Sequence, residues 1–225
     1  MIQAMISENW LNKLRQHRAI AVIRAATLEL GRHQAQAVAE GGLRIIEITW
    51  NTDGAAELIQ QLRGELPHCM IGTGTILDQT ALFEAIAAGA EFAFSPHINV
   101  PLIQAAVAAG IPIIPGALTP TEIVTAWQAG ATCVKIFPCQ AVGYAAYIKG
   151  LQGPLGQIPM IPTGGVTIDN AREFIQAGAI AVGLAGDLFP SSLIAAKDWS
   201  AIGQRSQTLV ASLRSVSNSS SNEIR

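Results

Sequence analysis

The chain has 225 residues, of which 50% are hydrophobic and 13% are charged, and its net charge is -2. This length and hydrophobic content predict one domain with a sizeable core. Because charges are sparse and no run of Lys or Arg is dense, the composition excludes a surface built to neutralise a nucleic acid backbone, and we expect no nucleic acid partner.

The two ends of the chain differ from its centre. Residues 1–18 mix charged and apolar residues at helical spacing, which predicts a helix over about residues 7–17. This segment has no continuous apolar stretch of the kind found in signal peptides or membrane anchors, so we expect no membrane partner. Residues 215–225 are rich in Ser and Asn without apolar periodicity, which predicts a disordered tail after a domain of residues 1–214.

The cysteines and histidines bear on compartment and cofactors. Cys69, Cys133 and Cys139 form neither a C-x-x-C pair nor an even set, which favours a reducing cytoplasm over disulfides or a zinc site. No group of His, Asp and Glu has metal-ligand spacing. We therefore expect neither a metal nor another cofactor.

Between the two ends, short β-branched runs alternate with stretches rich in Ala, Leu and Glu. The predicted strands are residues 19–24, 44–49, 69–75, 91–96, 111–116, 132–138, 158–165 and 179–185. The predicted helices are residues 28–40, 54–66, 79–89, 100–110, 120–130, 141–151, 169–178 and a last segment around 193–213. Several of these helices end in Gly directly before the next strand, as helix C-termini commonly do.

This alternation predicts the α/β class. Strands that alternate with helices form parallel sheets with right-handed crossovers, and eight similar units in this length close into a (β/α)8 TIM barrel. An open, doubly wound sheet is the alternative, but that fold would be expected to carry its glycine loop after the first strand. We predict a single barrel with an additional N-terminal helix.

Two charged residues interrupt the predicted strands. Glu47 lies in Ile-Ile-Glu-Ile-Thr and Lys135 in Cys-Val-Lys-Ile-Phe-Pro, although the strands of a parallel barrel are buried on both faces. If both side chains point inward, they share one cavity near the C-terminal mouth of the barrel. One interpretation is a buried structural ion pair, although such pairs often stabilise a fold no better than apolar residues.

The other interpretation of these two residues is catalytic. A lysine held out of water supplies a neutral amine that attacks a ketone carbonyl, and the resulting iminium is an electron sink beside which a C–C bond breaks or forms. A neighbouring carboxylate moves the protons that these steps require. This interpretation makes Lys135 the Schiff-base residue and Glu47 the general acid/base.

Small and hydroxyl-bearing residues lie at several predicted strand ends. They occur at residues 72–75, 163–165 and 183–186, and the last two segments follow strands seven and eight, where many barrels hold a phosphate. On spacing alone, such turns are equally ordinary punctuation between strands. Arg24 ends the first strand, where an arginine is either a clamp for an anion or a solvated loop residue.

Six motifs occur in order within residues 19–189: Ile-Glu-Ile-Thr (46–49), Ile-Gly-Thr-Gly-Thr-Ile (71–76), Phe-Ser-Pro-His (94–97), Ile-Pro-Gly (114–116), Val-Lys-Ile-Phe-Pro (134–138) and Pro-Thr-Gly-Gly-Val (162–166). Together they closely resemble the family of 2-keto-3-deoxy-6-phosphogluconate (KDPG) aldolases. That family includes 4-hydroxy-2-oxoglutarate (KHG) aldolases and 2-keto-3-deoxy-6-phosphogalactonate aldolases.

The resemblance implies a class I aldolase that acts on a small 2-keto acid or sugar acid phosphate without a metal, and it implies a homotrimer. It makes Lys135 the Schiff-base lysine and Glu47 the general acid/base. The positions that would hold the pyruvate portion are Thr75, Pro96, Phe137 and Thr163. The positions that would contact phosphate through the backbone are Gly164 and Gly165.

Two positions depart from the pattern of some family members. Where those members carry an arginine two residues after the Thr of Glu-x-Thr, this chain has Asn51. Galactonate-type members combine such a loss with an arginine at the end of strand one, as Arg24 is here. At strand eight, the family's Gly-Ser phosphate contact reads Ala185-Gly186, so one hydrogen bond to a charged acceptor, worth roughly 1.5 to 3 kcal/mol, is missing. Asp187 follows, as it does in galactonate-type relatives.

Three functions are compatible with these residues. The leading hypothesis is cleavage of KDPG, or a close phosphorylated analogue, to pyruvate and glyceraldehyde 3-phosphate. The altered strand-eight loop motivates a second, in which the substrate is unphosphorylated, such as 4-hydroxy-2-oxoglutarate. The third is a barrel that binds a sugar phosphate or keto acid without turnover, and the presence of both Glu47 and Lys135 argues against it.

Overall fold

The computed structural model describes residues 2–214, with side chains described from residue 7. Its strands are β1 (Ala19–Ile23), β2 (Ile45–Thr49), β3 (Met70–Gly74), β4 (Ala93–Ser95), β5 (Ile113–Ala117), β6 (Val134–Ile136), β7 (Met160–Pro162) and β8 (Val182–Leu184). Its helices are α1 (Ile2–His17), α2 (Leu28–Glu40), α3 (Ala55–Glu65), α4 (Gln79–Ala87), α5 (Val100–Ala108), α6 (Pro120–Gln128), α7 (Tyr144–Leu155), α8 (Ala171–Gln176), α9 (Ser191–Ala196) and α10 (Trp199–Arg214). The tail predicted for residues 215–225 lies outside the described residues.

All eight strands are parallel, each of strands β1 to β6 pairs with the next in the chain, and β8 pairs with β1. The order is β7-β6-β5-β4-β3-β2-β1-β8, so the last strand lies beside the first. A further parallel bridge between Thr163 and Gly183 joins the β7 side to β8 and brings the ends of the sheet together. The (β/α)8 barrel is therefore confirmed, and the open sheet is wrong.

Local signals in the sequence explain where the outer helices begin and end. Five helices start at a side chain that accepts a hydrogen bond from a first-turn backbone N–H, as helix N-caps do: Thr27, Asp78, Asn99, Thr119 and Asp198. Five helices are followed by a glycine with positive φ, which side-chain-bearing residues adopt only with strain: Gly42, Gly89, Gly110, Gly130 and Gly178. These signals return the chain to the next strand after a short turn.

The largest differences from the predicted elements lie in the second half of the chain. The helix predicted from residue 141 starts as a 3-10 turn, Cys139–Val142, and α7 follows it. The single last helix predicted around 193–213 is two helices, because Lys197 adopts a left-handed conformation with φ of 54° between α9 and α10. The N-terminal helix is confirmed, and it starts before the predicted residue 7.

The barrel interior is solid at its N-terminal end. Its inner cluster consists of Trp10, Leu14, Ile20, Ile45, Phe92, Phe94, Ile114, Cys133, Ile161 and Ala181. Trp10 comes from α1 and packs on Phe92 with 4.5 Å between ring centroids, so α1 seals this end. A second, larger cluster fills the space between the sheet and the outer helices. The open end of the barrel is the C-terminal one, where the loops after the strands meet.

Within residues 2–214, no helix is long and apolar enough to cross a membrane. Cys69, Cys133 and Cys139 are all buried free thiols.

Candidate active site

A cavity of about 800 Å³ opens at the C-terminal mouth of the barrel. Nine of the residues singled out from the sequence line it: Arg24, Glu47, Thr75, Pro96, Lys135, Phe137, Thr163, Gly164 and Gly186. They come from the ends of seven different strands and the loops that follow. Gly165 does not line the cavity, because its missing side chain faces Gln140 and Tyr144 instead, and its phosphate contact stays a prediction.

Glycines on the inner face of the strands create this space. A Cβ placed on Gly74 would collide with the carboxylate of Glu47, one on Gly116 would lie 2.5 Å from the Pro96 carbonyl oxygen, and one on Gly183 would lie 2.6 Å from Thr163 Oγ1. Because barrel interiors are normally filled by layers of side chains, these three positions leave room for the functional groups and for a ligand.

Lys135 projects from the middle of β6 into the cavity. Its strand pairs with Gly116 of β5 and Ile161 of β7, and the residue is only 6% exposed. The Nζ atom lies 4.9 Å from the centroid of the Phe137 ring and 5.6 Å from that of Phe94. The aromatic rings shield the amine from bulk water and still leave it in contact with the cavity, which is the setting that a nucleophilic amine requires.

Glu47 occupies the corresponding position on β2 and is 1% exposed. Its Oε1 atom is buried and has no hydrogen-bond partner among the described residues. Burial raises the pKa of this carboxyl group, while the positive charges of Lys135 and Arg24 lower it. The dominance of burial means that Glu47 holds a proton more readily than an exposed glutamate does.

The structure does not support a structural ion pair between these two residues. None of the salt bridges among the described residues includes Glu47 or Lys135, although Lys135 is close enough to act on the carboxyl charge. A buried pair that served stability would be expected to close and to satisfy its hydrogen bonds. An unpaired amine and an unsatisfied carboxyl in one cavity are instead suited to a ligand placed between them.

Thr75 reaches the cavity through an unusual backbone conformation. Its φ is 60°, in the left-handed region that β-branched residues strongly disfavour. The residue directly follows β3, and in this conformation it forms part of the cavity wall. Strained residues of this kind concentrate at functional sites, so the observation favours a binding role for Thr75.

The rim near β8 carries the departures seen in the sequence. Arg24 and Gly186 are both exposed and both line the cavity. The Asp187 carboxylate forms a salt bridge with Arg205, whose Nη2 atom lies 3.2 Å from Oδ2, and it also accepts a hydrogen bond from the Ile168 N–H. Because that charge is paired, Asp187 is not an obstacle to an anionic ligand.

Several lining residues were not predicted from the sequence: Val22, Ala25, Ala26, Leu30, Gln34, Thr49, Phe189, Ser191, Ile194 and Ala195. Thr49 shares a strand face with Glu47, so strand alternation was a signal that could have found it. Gln34 had no such signal, because a polar residue in a helical pattern is normally assigned to the solvent face.

No group of three His, Cys, Asp or Glu side chains within the described part of the chain is arranged to hold a metal ion.

Comparison with known proteins agrees with this geometry. The chain matches the family model described as KDPG and KHG aldolase over residues 11–205. A 2-dehydro-3-deoxy-phosphogluconate aldolase of Dickeya dadantii (strain 3937) is 33% identical over 192 residues, which cover 85% of this chain and 90% of that protein. The KHG/KDPG aldolase of Escherichia coli (strain K12) is 33% identical over 183 residues, covering 81% and 86%.

A solved structure extends the comparison to the fold and to a reaction intermediate. The KDPG aldolase of Legionella pneumophila, with pyruvate captured at low pH as a covalent carbinolamine intermediate, superposes with a TM-score of 0.81 at 29% identity. The match covers 87% of this chain and 95% of that one. Together with the sequence matches, it confirms the resemblance carried by the six motifs.

Proposed function

Because the chain belongs to the KDPG and KHG aldolase family, we propose that it is a class I aldolase that cleaves KDPG, or a close phosphorylated analogue, to pyruvate and glyceraldehyde 3-phosphate. One observation carries this proposal. A buried amine, Lys135, and a buried carboxyl group without a hydrogen-bond partner, Glu47, line the same cavity without forming a salt bridge.

The first half of the reaction forms the imine. The Lys135 amine attacks the C2 ketone carbon of the substrate, and a proton passes from its nitrogen to the ketone oxygen to give a carbinolamine. Glu47, whose pKa is raised by burial, supplies a proton to the departing hydroxyl group, so water leaves and the iminium forms. The Glu47 carboxylate that remains can act as a base in the next step.

The second half breaks the carbon chain. Glu47 removes the proton of the C4 hydroxyl group, the C3–C4 bond breaks, and its electron pair passes into the iminium to give an enamine. The C4 fragment departs as an aldehyde. Protonation of the enamine at C3 by Glu47 regenerates an iminium. Water hydrolyses this iminium to pyruvate and the free lysine, and the proton that is released returns to Glu47. Every proton removed in the sequence is returned, so no cofactor enters the balance.

The other lining residues receive binding roles in this proposal. Thr75, Pro96, Phe137 and Thr163 surround the pyruvate portion, supported by their place in the cavity wall around Lys135. Arg24 supplies a guanidinium for the substrate carboxylate, which matches the absence of an arginine at Asn51. Gly164 and Gly186 offer backbone contacts to the phosphate.

Trapping of the imine tests the proposal directly. The protein is incubated with pyruvate and sodium borohydride, and each of its four lysines, Lys13, Lys135, Lys149 and Lys197, is examined by peptide mass mapping. We expect a reduced pyruvyl adduct on Lys135 and none on the exposed Lys149. An unmodified Lys135, or a label on another lysine, would refute the mechanism.

An unphosphorylated substrate is the second candidate, because the Ala185-Gly186 sequence lacks the hydroxyl group of the family's phosphate contact. The values of kcat/KM for KDPG and for 4-hydroxy-2-oxoglutarate separate the two. A working phosphate site favours KDPG by more than about tenfold, since one charge-assisted hydrogen bond accounts for such a factor. Equal values would assign the unphosphorylated substrate.

We further propose that the enzyme is a cytoplasmic homotrimer. Apolar surface on one βα unit supports association, since Leu77 and Phe83 are 54% and 50% exposed and such patches mark interfaces. The free thiols suit a reducing compartment. Sedimentation equilibrium of the protein and of a Phe83→Glu variant tests the trimer. We expect three chains in the parent and dissociation in the variant, and a monomeric parent would overturn the assignment.

A further inference from the structure

Gln34 is the polar exception on the buried face of α2. The other buried residues of this helix are small or apolar: Gly31, Ala35, Ala37, Val38 and Ala39. Gln34 is 4% exposed, lines the cavity, and keeps its Oε1 atom buried without a hydrogen-bond partner. Oε1 can only accept a hydrogen bond, so the group available to an anion is the Nε2 donor, which makes no hydrogen bond to another described residue. A polar side chain buried in a cavity wall without a protein partner costs free energy that an apolar residue would not, so the free donor points to a ligand that carries an acceptor.

Topology places Gln34 at one particular side of the cavity. α2 follows β1, and β1 pairs with β8 through Ala21 and Leu184, so α2 begins beside the loop that follows β8. Helix side chains tilt toward the N-terminus of their helix, and the start of α2 is at the mouth of the barrel. Lys135, on β6, is separated from β1 by β7 and β8. Gln34 therefore faces the distal end of a ligand whose keto group is at Lys135.

Gly186 lies in the same region and leaves a gap. No atom lies within 4 Å of the position that a Cβ would occupy there, and a serine hydroxyl of the family pattern is absent. Glu47, on β2, is the one acidic residue among the lining residues, and the Asp187 carboxylate is paired with Arg205. No unpaired carboxylate of the cavity lining therefore repels an anion beside β8.

We propose that the Gln34 side-chain amide donates a hydrogen bond to the substrate's distal phosphate and replaces the contact that a serine at position 186 would make. This inference rests on the proposed aldolase function and names the residue that recognises the phosphorylated end. The amide supplies a neutral donor from α2, in addition to the backbone groups of Gly164 and Gly186. Selectivity for a phosphorylated substrate thus depends on a helix residue as well as on the loops after β7 and β8.

The Gln34→Met variant tests this role because methionine has a similar volume and no donor. We expect KM for KDPG to rise about tenfold, the equivalent of about 1.4 kcal/mol, with little change in kcat. The kinetics with 4-hydroxy-2-oxoglutarate, which has no phosphate, should not change. Gln36→Met is the matched control, since Gln36 lies on the same helix and its amide bonds Glu65 outside the cavity. It should behave as the parent.

A second substitution tests whether the two positions exchange roles. Gly186→Ser, placed in the Gln34→Met background, should lower the KM for KDPG most of the way back to the value of the parent, because the added side chain meets open space. Gly186 also has no positive φ that would strain a serine. Failure of the serine to improve KM would count against the proposed exchange of the phosphate contact.

Binding measurements separate this proposal from the aldolase proposal. Glycerol 3-phosphate and glycerol are compared as probes by thermal shift, without any turnover. We expect glycerol 3-phosphate to raise the Tm of the parent and to have a smaller effect on Gln34→Met. Equal shifts in both proteins, no shift in the parent, or a Gln34→Met defect shared by both substrates would overturn the role of Gln34. Failure to label Lys135 with pyruvate overturns only the aldolase mechanism.

Discussion

The two halves of the barrel interior are built from the same strands and have opposite properties. Near the N-terminal end, Ile45 of β2 and Cys133, which directly precedes β6, belong to a solid apolar cluster. Glu47 and Lys135 lie two residues further along these two segments, and both line a cavity. A step of two residues keeps the same strand face and moves about 7 Å toward the mouth. The interior therefore changes from packed apolar side chains to functional groups within one layer of side chains.

The lower layer of the barrel interior, at the N-terminal end, serves stability, and the upper layer, at the C-terminal end, serves function. The lower layer is filled by large side chains such as Phe92 and Phe94 and is sealed by Trp10 of α1. The upper layer gives up packing at Gly74 and Gly116 and holds groups whose burial is unfavourable without a ligand. The solid layer supplies the stability that allows the upper one to keep an amine and a carboxyl unpaired.

Replacing the buried amine of the cavity with an apolar side chain, like those at the N-terminal end of the barrel, should have the largest effect on activity without lowering stability. In Lys135→Met, an apolar side chain replaces the buried amine, so we expect an unchanged or higher Tm. We expect kcat/KM to fall on the order of 10⁶-fold, as for other losses of a covalent nucleophile. Turnover assays and thermal unfolding measure the two effects. Lys149→Met, on the exposed surface of α7, is the control with normal activity, and substantial residual turnover in Lys135→Met would contradict the imine mechanism.

Neutralising the carboxyl group without changing its shape should have the next largest effect. Glu47→Gln removes the proton carrier, and we expect kcat to fall by roughly 10²- to 10⁴-fold with the fold intact. Steady-state assays with far-ultraviolet circular dichroism measure both. The exposed Glu84→Gln serves as the matched control. A loss of less than about tenfold in Glu47→Gln would assign the proton transfers to another group.

Filling the space beside Glu47 should disturb the site while leaving its chemistry in place. In Gly74→Ala, the new methyl group overlaps the Glu47 carboxylate, and we expect kcat to fall about 10²-fold, the typical effect of a displacement of about 1 Å. Gly64→Ala is the control, because nothing lies within 4 Å of its Cβ position. That helix substitution should stabilise the protein by about 0.5 to 1 kcal/mol. Normal kcat in Gly74→Ala would show that Glu47 moves without consequence.

The burial of Glu47 should also make stability depend on pH, with a smaller effect. Burial raises the pKa of the folded-state carboxyl group above its ordinary value of 4.5, so the folded state binds this proton more tightly than the unfolded state does. The contribution to stability is fully present below pH 4.5 and is lost as pH rises through the raised pKa.

Urea unfolding at a series of pH values, for the parent and Glu47→Gln, isolates this contribution. Because the amide does not titrate, the stability of Glu47→Gln relative to the parent should increase as pH rises from about 4.5. A difference that stays constant or decreases over that range would show that the cations, rather than burial, dominate the pKa of Glu47.

Features carried by neighbours in the chain were predictable from the sequence, and features carried by distant residues were not. Glu47 and Lys135 stood out because each interrupts an apolar strand. Gln34 was missed because helical periodicity reports which residues share a face, whereas only the docking of α2 decides where that face points. The break at Lys197 between α9 and α10 was missed because the apolar pattern continues across it.

The sequence by itself determined the eight repeated units and the two charged residues, since local propensity and alternation encode both. Only the tertiary structure decided that Glu47 and Lys135 remain unpaired, and that Gly74, Gly116 and Gly183 open a cavity between them. In the sequence, these glycines look like ordinary strand residues. Their effect depends on which side chains face them across the barrel, and that is a property of strand register and closure rather than of chain neighbours.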